Sequence, residues 1–178
     1  MGDLRFQTRR SFLKYTLGGV ASIYGLTVKS QNELLYSKGS TKLTILYTND
    51  QHSRIEPFPH DDLKYPNEGG FAKRAALIDN IKQEEAHTLL LDAGDIFQGT
   101  PYFNYYQGEI EYKLMSMMGY DAVTFGNHDF DLGCDNILKQ MPHASFDFLN
   151  CNYDFNHTSL EKNKKISPYK IYKKGHLK

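Results

Sequence analysis

The sequence predicts an α/β fold in which a parallel sheet is linked by helical crossovers. Two observations carry that prediction. Short apolar runs of strand length alternate with longer amphipathic runs, the pattern of repeated strand–helix units. The first three apolar runs also each end directly in a polar turn. These turns are Asn49-Asp50-Gln51-His52, Gly94-Asp95 and Gly126-Asn127-His128-Asp129-Phe130-Asp131. Side chains just past the carboxyl ends of neighbouring parallel strands converge on one crevice. Residues far apart in sequence are therefore expected on one rim.

The elements follow in order. Strands are expected near 43–48, 88–93, 122–126 and 146–151, where β-branched, leucine and aromatic residues cluster. A loop rich in Pro, His and Asp follows the first turn, from Ser53 to Glu68. Gly69 to Glu85 reads as a helix, with Phe71, Ala75, Leu77, Ile78 and Ile81 as its apolar stripe. Ile96 to Gly108 reads as an aromatic-bearing loop. Glu109 to Met118 reads as a helix with Ile110, Leu114 and Met117 on one face, stopped by Gly119. A further helix spans Gly133 to Met141, ended by Pro142. Ser167 to Lys178 alternates like an edge or hairpin strand that ends without a partner, so the chain reads as the first part of a longer domain.

Domain organisation is read as two parts. Residues 1–41 are expected to form an export signal and spacer, and 42–178 one folded domain. Arg9 and Arg10 stand before an apolar, glycine-containing stretch from Tyr15 to Val28. That stretch is too short and too weakly apolar for a membrane span. The core Arg-Arg-x-Phe-Leu-Lys resembles a bacterial twin-arginine leader, which implies the twin-arginine export machinery as a partner and a periplasmic or cell-surface location. A retained leader would act as an anchor.

Of the 178 residues, 21 are Lys or Arg and 21 are Asp or Glu. A balanced charge gives no reason to expect nucleic-acid binding. Thirteen Tyr and eleven Phe supply a core of ordinary size. Cys134 and Cys151 lack metal-type spacing and are expected as packed free thiols, with a pairing left open in an exported protein.

The turns carry the chemistry. Asp50 and His52 alternate across the first and can face one ion. Gly94 lets the backbone pass close to the site, and Asp95 projects from the strand end. Asn127 offers a neutral amide oxygen of the kind that binds hard ions. His128 is suited to proton transfer. Asp131, three residues on, is placed to orient the imidazole through its second nitrogen. Each turn alone also fits a plain surface turn or a capped helix start. Their joint occurrence in this order argues for metal ions.

At these residues the chain resembles the N-terminal half of the catalytic domain of 5′-nucleotidases, within the calcineurin-like metallophosphoesterases. The matching runs are Leu-Tyr-Thr-Asn-Asp-Gln-His, Leu-Asp-Ala-Gly-Asp-Ile-Phe-Gln-Gly-Thr-Pro and Gly-Tyr-Asp-Ala-Val-Thr-Phe-Gly-Asn-His-Asp-Phe-Asp, and the similarity extends from Leu43 to Phe155. The resemblance implies a layered sheet with flanking helices and two divalent ions. Asp50 and His52 would bind one ion, Asp95 would bridge both, and Asn127 would bind the second. His128 would be the catalytic imidazole, paired with Asp131. Such ligands suit Mn, Zn, Fe or Co. The implied substrate is a small phosphate ester, a 5′-nucleotide first of all. Cyclic-nucleotide phosphodiesters and sugar nucleotides are alternatives within the class. The family's later histidine ligands have no counterpart here, and His143, His157 and His176 read as loop residues. The contrasting reading is therefore a catalytically silent piece.

Overall fold

The computed structural model describes residues 41–177, so the expected leader lies outside the described residues up to Ser40. Five strands form one sheet in sequential order: β1 (Thr44–Thr48), β2 (Thr88–Asp92), β3 (Ala122–Val123), β4 (Asp147–Leu149) and β5 (Ile166–Ser167). Every neighbouring pair is parallel. Four α-helices lie between the strands: α1 (Phe71–Glu84), α2 (Pro101–Tyr106), α3 (Glu109–Met117) and α4 (Gly133–Gln140). Among the described residues no helix is long and apolar enough to cross a membrane.

A sequential parallel order sends every right-handed crossover to the same side. Burial follows from this. Leu46, Leu90, Val123, Phe148 and Ile166 join one core with Phe71 and Ile78 of α1, Tyr112 and Met115 of α3, and Ile137 of α4. The strand positions between them face the other way. There Ile45 and Tyr47 stay exposed, Tyr47 at 74%.

The expected α/β sheet is present, with several differences in detail. The run Ile96 to Gly108 is not all loop, because Pro101 at the first helical position opens the short helix α2. The third strand stops at Val123 rather than residue 126, and the chain turns toward the third polar turn. The alternating tail is strand only at Ile166–Ser167, followed by a single Lys174–Leu177 bridge. Leu77, assigned to the stripe of α1, is 60% exposed. The phase of α3 is also turned. Its buried residues are Glu111, Tyr112 and Met115, while Met117 stands in solvent. A stripe drawn from apolar residues alone leaves out Glu111, and the face that packs contains it. Both cysteines are free, but Cys151 is exposed rather than packed.

Candidate metal centre

The first turn is built from unusual backbone. Asp50, His52 and Ser53 all lie in the left-handed region, at φ 51°, 47° and 50°. Asp and His tolerate that region better than most residues, though each visit costs on the order of 1–2 kcal/mol. The second turn offsets the cost by continuing the β1–β2 ladder past the strand ends. Asp50 N donates to Gly94 O at 3.0 Å, His52 N to Asp95 O at 3.0 Å and Ser53 N to Ile96 O at 2.9 Å. The Thr100 hydroxyl donates to Ser53 O at 2.6 Å.

This ladder brings three sequence-predicted ligands together. Asp50, His52 and Asp95 each offer a ligand atom, all within 4.8 Å of one another. That separation satisfies the limit of about 6 Å expected for two carboxylates sharing a cation. His52 Nε2 lies 3.7 Å from Asp50 Oδ1 and 4.0 Å from Asp95 Oδ2. Two carboxylates and an imidazole, accessible from one side, form a donor set that fits a divalent transition ion.

The third turn is closed from inside by Asp129, a residue with no role in the sequence reading. Asp129 is 1% exposed. Its carboxylate accepts from Gly126 N at 2.8 Å, Asp95 N at 3.0 Å, Ile96 N at 3.0 Å and Phe97 N at 3.1 Å. One side chain thereby ties the third turn to the second. Burial pushes this carboxyl up to about 6, against the pull of its four N–H donors. The sequence holds a signal for it: an acid between His128 and Phe130 has no surface role if Phe130 packs inward.

The glycines permit the approach. A Cβ on Gly94, at φ 97°, would overlap the backbone of Phe125 and Gly126, and one on Gly126 would overlap Asp95. Asp95 divides its oxygens between two tasks. Oδ1 accepts from His128 N at 2.9 Å, and Oδ2 faces His52. Asn127 lies between Gly126 and His128, exposed on the rim, at the start of a 3₁₀ turn. His128 Nδ1 is 3.0 Å from Asp131 Oδ2, and the hydrogen bond to Asp131 raises the imidazole above its ordinary value of 6.5. The His52 and His128 rings stand 5.2 Å apart. His143 is half-buried in a 3₁₀ turn, while His157 and His176 are exposed.

A polar network under the rim is likewise absent from the sequence reading. Asp92, buried at the end of β2, accepts from Thr48 Oγ1 at 2.5 Å, Gln51 Nε2 at 2.6 Å and Gly94 N at 2.9 Å. Burial raises its carboxyl, while these donors and Arg74 oppose the rise. Gln51 accepts from Arg74, whose guanidinium sits 4.5 Å over the Phe71 ring. A cavity of about 450 Å³ opens beside the network, lined by Asn49, Asp50, His52, Arg54, Arg74 and Gly99 among others.

The family profile for calcineurin-like phosphoesterase matches residues 43–177. Snake venom 5′-nucleotidase of Gloydius brevicauda is 42% identical over 123 residues, 67% of this chain and 21% of that protein. The 5′-nucleotidase of Bos taurus is 37% identical over 164 residues, 88% of this chain and 29% of that protein. Among solved structures, the 5′-nucleotidase precursor of Thermus thermophilus superposes with a TM-score of 0.67 at 36% identity, over 75% of this chain and 26% of that one. The NAD nucleotidase of Haemophilus influenzae gives 0.64 at 29% identity, over 74% and 24%. The chain thus spans about a quarter of the length of the relatives it matches.

Proposed function

The chain belongs to the calcineurin-like phosphoesterase family, and from that premise we propose that it carries the metal-binding rim of a hydrolase of phosphate esters, with 5′-nucleotides as the leading substrates. One observation carries the reading. The ligand atoms of Asp50, His52 and Asp95 converge within 4.8 Å, beside an imidazole held by a carboxylate. Asp50 and His52 would hold one ion and Asn127 a second, with Asp95 shared between them. When bound, divalent ions supply positive charge to the phosphate oxygens and lower the pKa of a water.

The chain's own residues do the rest. Asp95 ties the first turn to the third, accepting from His52 N through its carbonyl and from His128 N through its carboxylate. Asp131 holds His128 Nδ1, which leaves Nε2 free for the ester oxygen. With its hold on a proton strengthened by Asp131, the imidazole can donate from that nitrogen as the phosphorus–oxygen bond breaks. The adjoining cavity leaves room for the remainder of a small ester.

The domain division at residues 41 and 42, and export by the twin-arginine machinery, belong to the same proposal. A venom protein among the relatives fits an exported reading. Changing both Arg9 and Arg10 to Lys should hold the protein in the cytoplasm, and normal export of that variant would point to a general secretory signal. The second reading, a silent piece, is favoured by one observation: the trio is the only such group among the described residues, and with Asn127 it underfills two coordination shells.

The deciding experiment measures Mn binding and phosphate release from 5′-AMP, a cyclic nucleotide and a sugar nucleotide. We expect Mn to bind and to be lost in Asp95→Ala, with slow turnover of 5′-AMP by this chain. No Mn uptake would break the metal reading. Metal uptake without turnover of any ester would support the silent one.

A further inference from the structure

Glu111 is fully buried on α3, and neither of its carboxylate oxygens has a hydrogen-bond partner. An isolated buried carboxylate is among the costliest groups a fold can carry. The Ser53 hydroxyl, also fully buried, lacks a partner too. The two belong together. The Ser53 hydroxyl is near enough to oppose the burial-driven rise of the Glu111 carboxyl, although the pair does not meet strict hydrogen-bond geometry.

The helix gives an independent reason to pair them. Met115 lies one turn beyond Glu111 on the same face of α3. Its sulfur meets Gln51 Nε2 at 3.6 Å. Two successive steps of one helix face thus meet residues 51 and 53 of one turn. His52, between them, carries its imidazole toward Asp50 and Asp95. The turn needs such support, because Asp50, His52 and Ser53 are all left-handed without a glycine among them.

We propose that Glu111 is a positioning residue: its carboxyl, beneath Ser53, holds the left-handed turn that aims His52 and Asp50 at the metal. A carboxyl oxygen accepts from a hydroxyl, so Glu111 can serve the Ser53 hydroxyl, which otherwise has no partner. Glu111 touches neither metal nor substrate, and its effect passes through Ser53. The inference rests on the metal reading above.

The test uses the full chain and Mn alone, with affinity read by calorimetry and folding by circular dichroism. Glu111→Gln, which keeps the shape and an acceptor oxygen, should bind Mn within about twofold of the wild type. Glu111→Leu should bind at least about tenfold more weakly while keeping its helix and strand signal. Ser53→Ala should weaken binding by a similar factor, and the double variant should be no worse than either single one, because both changes cut the same link. If Glu111→Leu does not fold, Ser53→Ala and Glu111→Gln still decide the matter. Wild-type affinity in Ser53→Ala, or a loss of about tenfold in Glu111→Gln, overturns the proposal. Wild-type affinity in Glu111→Leu overturns it while leaving the metal reading intact. Absence of Mn binding by the wild type overturns both.

Discussion

The first and third turns of the rim solve the same problem in opposite ways. Both must hold polar side chains toward one point beyond the strand ends. The first turn is held from outside. Its backbone N–H groups reach the carbonyls of the second turn, and its side chains lean on Asp92, Arg74 and α3. The third turn is held from within by Asp129, which gathers N–H groups of residues 95–97 and of its own Gly126. Many weak supports can be lost singly. A carboxylate that gathers four N–H groups cannot, even with the Asp95–His128 bond beside it.

That contrast sets the scale of the variants. Asp129→Ala should be the most damaging, at about 3–5 kcal/mol, since four N–H donors lose one buried acceptor. Urea unfolding measures it, and a loss under about 1 kcal/mol would mean that water replaces the carboxylate. Gly94→Ala should cost about 2–3 kcal/mol, from a left-handed alanine and its overlap with Gly126. It should also weaken Mn binding, because it pushes the second and third turns apart. On the first turn, Gln51→Ala should cost only about 1–2 kcal/mol, because Asp92 keeps Thr48 and Gly94 as donors. A larger cost than that of Asp129→Ala would reverse the comparison.

The smallest effect is confined to one proton. Asp131→Asn removes the partner that raises His128, so the imidazole should titrate lower and closer to 6.5. The sign is that of a folded pKa raised above the unfolded one. The pair stabilises fully below the unfolded value and loses its contribution as pH rises through the folded one. Proton NMR of the metal-free protein follows the ring directly, and an unmoved titration would detach His128 from Asp131.

The sequence shows the candidate site residues more readily than their supports, for a physical reason. Asp50, His52, Asp95, Asn127 and His128 stand in short polar runs after apolar strands, where their chemistry interrupts a pattern. Asp92, Asp129 and Glu111 are acids inside that pattern. Hydrophobic periodicity treats an acid as a surface residue, so it puts Glu111 outward and turns the phase of α3 with it. Only the three-dimensional arrangement reveals how many N–H groups Asp129 collects. Helix α2 escapes a sequence reading because its six residues are too few to show a period. The last strand is only two residues long, and the alternation of Tyr169 and Ile171 points to the wrong place for it.

The sequential strand order has a consequence for synthesis. Because β1 pairs with β2 and β2 with β3, each unit leaves the ribosome next to the unit on which it docks. The first turn emerges long before the Gly94–Ile96 carbonyls that receive its N–H groups. The staple at Asp129 arrives later still, on the order of ten seconds after Asp50 at ordinary translation rates. A cation that needs Asp50, His52 and Asp95 together meets them together only after the first ladder has closed. The trio is therefore complete only after strand pairing, and a nascent chain halted before residue 95 should bind Mn more weakly than the whole chain.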